Sequence, residues 1–285
     1  MNLTNISTVK SILEKYGFSF SKGLGQNFLI NPSVCPRIAE EGNARKGFGI
    51  IEIGTGFGTL TAELAKRAEK VVAIEIDSRL IPVLKETLAD FDNIKVINQD
   101  FMDTDLNKII SEEFKGLKVA VCANLPYYIT SPVIMKLLES RADIESITVM
   151  VQKEAGQRLC AEVGKRESGA ITVAVNYYGT ASYLFNVSRG SFMPAPNVDS
   201  AVIRIDVNKK YSLEKEAEEF FFKVIKSGFS QRRKTIANSV SSQMNIKKET
   251  VYSALKEISM PENSRIEQLD MNKLILFSEI LRNSK

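Results

Sequence analysis

Up to about residue 207, short runs of β-branched and aliphatic residues alternate with stretches whose apolar positions recur every three or four residues. The short runs predict strands at Gly49–Ile53, Lys70–Ile74, Ile94–Asn98, Lys118–Ala123, Ser146–Gln152, Ala170–Tyr178 and Ala201–Val207. Between them, Leu60–Ala68, Arg79–Leu88 and Pro132–Glu139 carry one apolar face and predict crossover helices. Strand and helix in alternation specify an α/β fold, an open, mostly parallel seven-stranded sheet covered by helices. From Ser212 onward the spacing is helical only, over Glu214–Ser227, Arg232–Ser241, Lys248–Ile258 and Asn272–Leu281. The chain therefore divides into a sheet domain, 1–207, and a small all-α domain, 208–285, joined near Asn208 to Tyr211.

Composition narrows the chemistry. The 285 residues are 44% hydrophobic and 25% charged, as expected of a soluble globular protein. Histidine is absent, which removes serine–histidine hydrolysis and every imidazole base or metal ligand; no metal site is expected. Cys35, Cys122 and Cys160 are widely separated, so neither a zinc knuckle nor a disulfide framework is implied. No secretion signal opens the chain and no apolar run is long enough to span a bilayer, so a cytoplasmic location without membrane contact is expected. The net charge of +4 is unevenly placed, with 15 basic and 10 acidic residues from Lys209 to Lys285. Such a bias suits a polyanionic partner, and equally a solvated helical face.

In a doubly wound sheet, ligands lie beyond the carboxyl ends of the strands. The first strand runs into Glu52-Ile53-Gly54-Thr55-Gly56-Phe57-Gly58, where glycines permit a tight turn and close backbone approach, either for a nucleotide or simply to enter a helix. The second ends at Glu75, where a carboxylate can accept from both hydroxyls of a ribose. After the third, Asp100 can accept from the amino group of adenine, with Phe101 and Met102 as apolar neighbours, or can cap the following turn. The fourth leads into Asn124-Leu125-Pro126-Tyr127-Tyr128-Ile129-Thr130-Ser131-Pro132. A proline-stiffened loop holding an amide oxygen, a backbone carbonyl and an aromatic ring suits recognition of an exocyclic amine on a flat base.

These segments resemble the ribosomal RNA adenine N6,N6-dimethyltransferase family, enzymes with a Rossmann-like fold that use S-adenosylmethionine. The resemblance covers nearly the whole chain. It rests on Leu24-Gly25-Gln26-Asn27-Phe28-Leu29, on Glu52 to Gly58, on Asn124 to Tyr127, on Phe192-Met193-Pro194-Ala195-Pro196-Asn197-Val198-Asp199-Ser200 and on Phe229-Ser230-Gln231-Arg232-Arg233-Lys234. It implies S-adenosylmethionine as cofactor, held by Asn27, Leu29, Gly54, Glu75, Asp100 and Asn124, with Asn124, Leu125, Pro126 and Tyr127 as the catalytic segment. Tyr128 and Pro132 look like the branch acting on two adjacent adenosines near the 3′ end of small-subunit (16S) rRNA, with a role in subunit maturation. The alternatives are the resistance-type branch acting on large-subunit (23S) rRNA and a non-catalytic RNA-binding factor of the same fold. Thr55 departs from the proline usual in this branch.

Methyl transfer from a sulfonium needs no histidine. Asn124 Oδ1 and the Leu125 carbonyl are expected to accept the two N6 hydrogens of a flipped-out adenine and to stabilise the charge developing on nitrogen. Tyr127 is the expected stacking face, and Phe192 is either a second face or a core residue. Phosphate contacts are expected from Arg232, Arg233 and Lys234, and from Lys10, Lys15 and Lys22 on the N-terminal arm. The resemblance further implies a pre-assembled small subunit as partner, met by a monomeric enzyme.

Overall fold

The computed structural model describes residues 1–19, 23, 25–208 and 210–284. Two compact units emerge, one of Met1–Gly156 with Ala181–Val207 and one of Gln157–Thr180 with Asn208–Lys285. The chain leaves the sheet at Val207, at the expected boundary, but residues 157–180 group with the C-terminal helices instead of with the sheet.

Among the described residues nine strands are formed: β1 (Phe28–Leu29), β2 (Phe48–Ile53), β3 (Lys70–Glu75), β4 (Ile94–Asn98), β5 (Lys118–Asn124), β6 (Ser146–Gln152), β7 (Gly179–Val187), β8 (Phe192–Met193) and β9 (Ser200–Val207). Seven of them make one sheet in the order β4-β3-β2-β5-β6-β9-β7. Neighbours from β4 to β6 are parallel, and β9 enters antiparallel to β6 with Gln152 opposite Ser200. Every residue of β2 is buried, as a strand covered on both faces requires. Within β2 the side chain of Phe114 lies over Gly49, where a Cβ would come within 2.1 Å of the ring, so this strand position admits no side chain.

The reversal at β2/β5 gives the sheet its switch point, and the ends of β2, β3, β4 and β5 open on the same side. The helix Ile6–Lys15 closes one part of the first unit, burying Val9 and Ile12 with Leu80, Val83, Leu84, Phe18, Phe28 and Phe57. Its last turn is fastened by Lys15, whose Nζ donates to Glu86 at 2.7 Å, and by a short hydrogen bond from Tyr16 to the same carboxylate. Lys15 is thereby paired with Glu86 at the surface, its side chain 58% exposed.

One expected strand is a helix. Ala170–Tyr178 forms a helix in the second unit, with Thr172 Oγ1 accepting from Gly169 N at 2.9 Å at its start. Six of its nine residues are buried, so its apolar character runs round the element and carries no period that separates a buried helix from a buried strand. Tyr177 and Tyr178 donate to Glu218 Oε2 and Oε1 at 3.1 and 2.8 Å, and their rings stack on Phe221 and Phe222 of the helix Lys215–Phe229. The seventh strand of the sheet is instead β7, immediately downstream. The helix expected at Arg232–Ser241 begins only at Ile236, because Thr235 caps it, accepting from Asn238 N; Arg232, Arg233 and Lys234 lie in the preceding turn. Among the described residues no helix is long and apolar enough to cross a membrane.

Candidate active site

A cleft of about 220 Å³ lies at the strand ends of the first unit. Its walls include Asn27, Leu29, Gly54, Glu75, Asp100, Asn124, Leu125, Pro126, Tyr127 and Phe192, so the ten residues expected to meet the cofactor or the target base share one cavity. Lys22 and Leu24 lie outside the described residues.

The glycine loop shapes the floor. Gly54, Gly56 and Gly58 adopt φ of +75°, +55° and +86°. Gly56 also has no room for a side chain, since a Cβ would stand 2.9 Å from the Phe28 ring, which stacks on Phe57 at 4.0 Å between centroids. Phe28 belongs to β1, and β1 pairs with β8, Leu29 opposite Phe192. The N-terminal motif and the Phe192 segment are thus clamped together beside the loop.

Glu75 has a second duty that the sequence did not suggest. Its Oε2 accepts from Thr55 N (2.9 Å), Thr55 Oγ1 (2.9 Å) and Gly56 N (3.2 Å), and its Oε1 from Asp77 N (2.9 Å). The carboxylate therefore anchors the glycine loop, and its remaining acceptor capacity lies on Oε1. Thr55 supplies two of these donors, neither of which a proline could provide. Asp77 receives Gln26 Nε2 at 2.8 Å and a two-pronged contact from Arg79, whose guanidinium holds the Asp77 carboxyl below the usual range. Gln26 and Asp77 escaped the sequence reading, since the only signal was their nearness to Asn27 and Glu75.

Asp100 takes up the capping alternative, its Oδ1 accepting from Met102 N at 2.8 Å, and it also lines the cleft. Lys136 lies 5.4 Å from the Phe101 ring centre, steadying that wall.

Glu52, near the end of β2, is the buried, unpartnered carboxyl of the site. It is 1% exposed, and neither carboxylate oxygen has a hydrogen-bond partner among the described residues. Burial, aided by the nearby charge of Glu75, pushes its pKa up to about 8; the Thr61 hydroxyl opposes this without reaching hydrogen-bond geometry. An unmatched buried carboxyl in the cleft calls for a cation. The S-adenosylmethionine implied by the sequence resemblance has a sulfonium and an ammonium, and the residues present fit it.

Next to the glycine loop, Asn124 ends β5, the strand paired with β2, and is half-buried. Leu125 N donates to Met150 O at 3.1 Å, fixing the peptide that follows. The Tyr127 hydroxyl and Ser200 Oγ share a hydrogen bond of 2.8 Å, with Ser200 fully buried at the start of β9. Burial raises the Tyr127 pKa, and the Ser200 hydrogen bond works against the rise. Phe192 is 4% exposed and is at once a core residue and part of the cleft wall. In the second unit Arg232, Arg233 and Lys234 are exposed, but Arg232 donates to Arg166 O (2.8 Å) and Ser168 O (3.2 Å) and thus also holds its own turn.

Comparison with known proteins agrees with this geometry. The family model described as Ribosomal RNA adenine dimethylase matches residues 17–282. A protein from Geobacillus sp. (strain WCH70) named ribosomal RNA small subunit methyltransferase A is 45% identical over 278 residues, covering 96% of each chain. One of the same name from Bacillus mycoides (strain KBAB4) is 46% identical over 276 residues, covering 95% of this chain and 94% of its own. Among solved structures, a dimethyladenosine transferase from Plasmodium falciparum superposes with a TM-score of 0.71 at 28% identity, over 88% of this chain and 95% of that one. The 23S rRNA methyltransferase ErmE does so with 0.66 at 28% identity, over 90% and 100%.

Proposed function

The chain belongs to the ribosomal RNA adenine dimethylase family, and from that membership we propose that it dimethylates N6 of two adjacent adenosines near the 3′ end of small-subunit rRNA, using S-adenosylmethionine. The observation that carries this reading is the Asn124–Tyr127 loop, which faces the same cleft as Glu52, Glu75 and Asp100. A set of carboxyl groups and an amide-and-aromatic hook in one cleft allow a methyl donor and a flat acceptor base to meet.

S-adenosylmethionine supplies a methyl group already activated by its sulfonium. Within the cleft, Asn27, Leu29, Gly54, Glu75, Asp100 and Asn124 hold it, and Glu52 offers a carboxylate to its positive charge. The poor partner is adenine N6, whose lone pair is delocalised into the ring. Asn124 Oδ1 and the Leu125 carbonyl each accept one N6 hydrogen, which favours a pyramidal nitrogen and stabilises the charge that develops there. Tyr127, held by Ser200, gives the extruded base a face that offsets part of its unstacking cost of a few kcal/mol. The surplus proton leaves to water. Phe192 forms the back of the base pocket.

Arg233 and Lys234, with Arg232 and Lys22, contact RNA phosphates, and the helical unit selects the target by the shape of its folded RNA. The substrate in this reading is a nearly assembled small subunit, met in the cytoplasm by a monomer. The test incubates the protein and radiolabelled S-adenosylmethionine with each ribosomal subunit from cells lacking the modification. Label should enter small-subunit RNA as dimethyladenosine; label confined to large-subunit RNA would replace this reading with the resistance-type one.

A further inference from the structure

The loop after β5 carries two tyrosines in succession, held in different ways. Tyr127 is half-buried and tied through its hydroxyl. Tyr128 is 60% exposed, and one edge of its ring lies beside the N-terminal motif: a Cβ on Gly25, which adopts φ +59°, would come into ordinary contact with Tyr128 Cε1 and Cδ1 at 3.4 and 3.5 Å. The ring lines the rim of the cleft and is otherwise open to solvent. Two other apolar side chains on this rim are exposed, Ile76 at 49% and Met102 at 39%. Those two follow Glu75 and Asp100, assigned above to the cofactor; Tyr128 follows Asn124 and Tyr127, assigned above to the base.

We propose that Tyr128 is a second base-binding platform, stacking on the nucleobase next to the one presented to Asn124. The proposal rests on the reading that the target is a pair of neighbouring adenosines. When one base is extruded, its neighbour loses a stacking partner, and an exposed aromatic face at the cleft rim replaces it. Stacking is also the interaction that survives both rounds of reaction. The neighbour is adenine while the first base is modified and dimethyladenine while the second is; the dimethylated base has no N6 hydrogen to donate but retains its π face. A site that read the neighbour through its N6 hydrogens would work in one round only.

Steady-state methylation of small subunits from cells lacking the modification tests this with wild type, Tyr128→Ala, Tyr128→Phe and Tyr128→Trp. Tyr128→Ala should raise KM for the subunit roughly tenfold, within the range of base–aromatic stacking, and change kcat less. Tyr128→Phe and Tyr128→Trp should restore KM, and the cofactor Kd and the thermal midpoint should stay at wild-type values throughout. A direct reading comes from small subunits reconstituted with 2-aminopurine one nucleotide from the target adenosine: wild type should quench its fluorescence on binding, and Tyr128→Ala should not. An unchanged KM in Tyr128→Ala, equal impairment in Tyr128→Phe, or a cofactor Kd that rises with KM would each overturn the platform. Absence of label from small-subunit RNA with the wild-type protein would overturn the functional reading, and this proposal with it.

Discussion

Glu52 shows how one side chain can make stability depend on what occupies the cleft. Its pKa rises from the ordinary value of 4.5 to about 8 in the folded chain, so between these values the folded state holds a proton that the unfolded chain has released. Stability therefore falls as pH rises through this window, by up to about 1.4 kcal/mol per pH unit, and levels off above pH 8. Glu52→Gln, which cannot ionise, should lack this decline: without cofactor, its thermal midpoint should pull ahead of wild type between pH 6 and 8, and parallel curves would mean that the carboxyl is already compensated. Ser200 acts at the same scale through a single hydrogen bond. Removing its hydroxyl leaves that of Tyr127 half-buried and without this partner, while Tyr127→Phe removes the need for one. Ser200→Ala should lower the rate of methylation roughly tenfold and increase the share of monomethylated product, with cofactor binding unchanged. In a Tyr127→Phe background it should have little further effect. The coupling in such a double-mutant cycle, expected at about 1 kcal/mol, is the measurement, and additive effects would separate Ser200 from the ring.

At the level of elements, the glycine loop is where local conformation and ligand approach become one requirement. Gly56→Ala puts a side chain at φ +55° and against Phe28, so it strains the loop and presses on β1 together. A stability loss of about 1–2 kcal/mol is expected from the left-handed conformation alone, along with a clear rise in cofactor Kd by calorimetry; an unchanged Kd would show that β1 and the loop move independently of the site. This loop was legible in the sequence, as were Glu75, Asp100 and Asn124, because parallel topology brings consecutive strand ends to one side and each such residue directly follows a recognisable apolar run. The clamp around them was not. β1 and β8 are two residues each, too short to show any period, and their pairing joins positions far apart in the chain. The hydrogen bond between Ser200 and Tyr127 spans 73 residues and exists only because β9 enters antiparallel beside β6. Ala170–Tyr178 failed for the reverse reason: its Ile, Thr and Val residues have strand preference, but Tyr177, Tyr178 and their partners on the helix Lys215–Phe229 decide the outcome.

For the whole molecule, charge is unevenly distributed along the chain. The basic excess from Lys209 onward stands against a near-neutral remainder, and within it Arg232, Arg233 and Lys234 occupy an exposed turn ahead of a capped helix. Arg232 already serves the carbonyls of Arg166 and Ser168, so substituting it disturbs the fold of the turn as well as its charge. Arg233 and Lys234 are the cleaner probes. If they meet phosphates, Arg233→Glu with Lys234→Glu should weaken binding to small subunits and reduce the slope of log affinity against log salt by roughly 0.7–0.9 for each phosphate no longer neutralised. The cofactor Kd, set in the sheet unit, should not move, and neither should kcat at saturating substrate. Weaker affinity with an undiminished salt slope would mean that the two side chains support the shape of the turn, and would shift phosphate recognition to other basic residues of the chain.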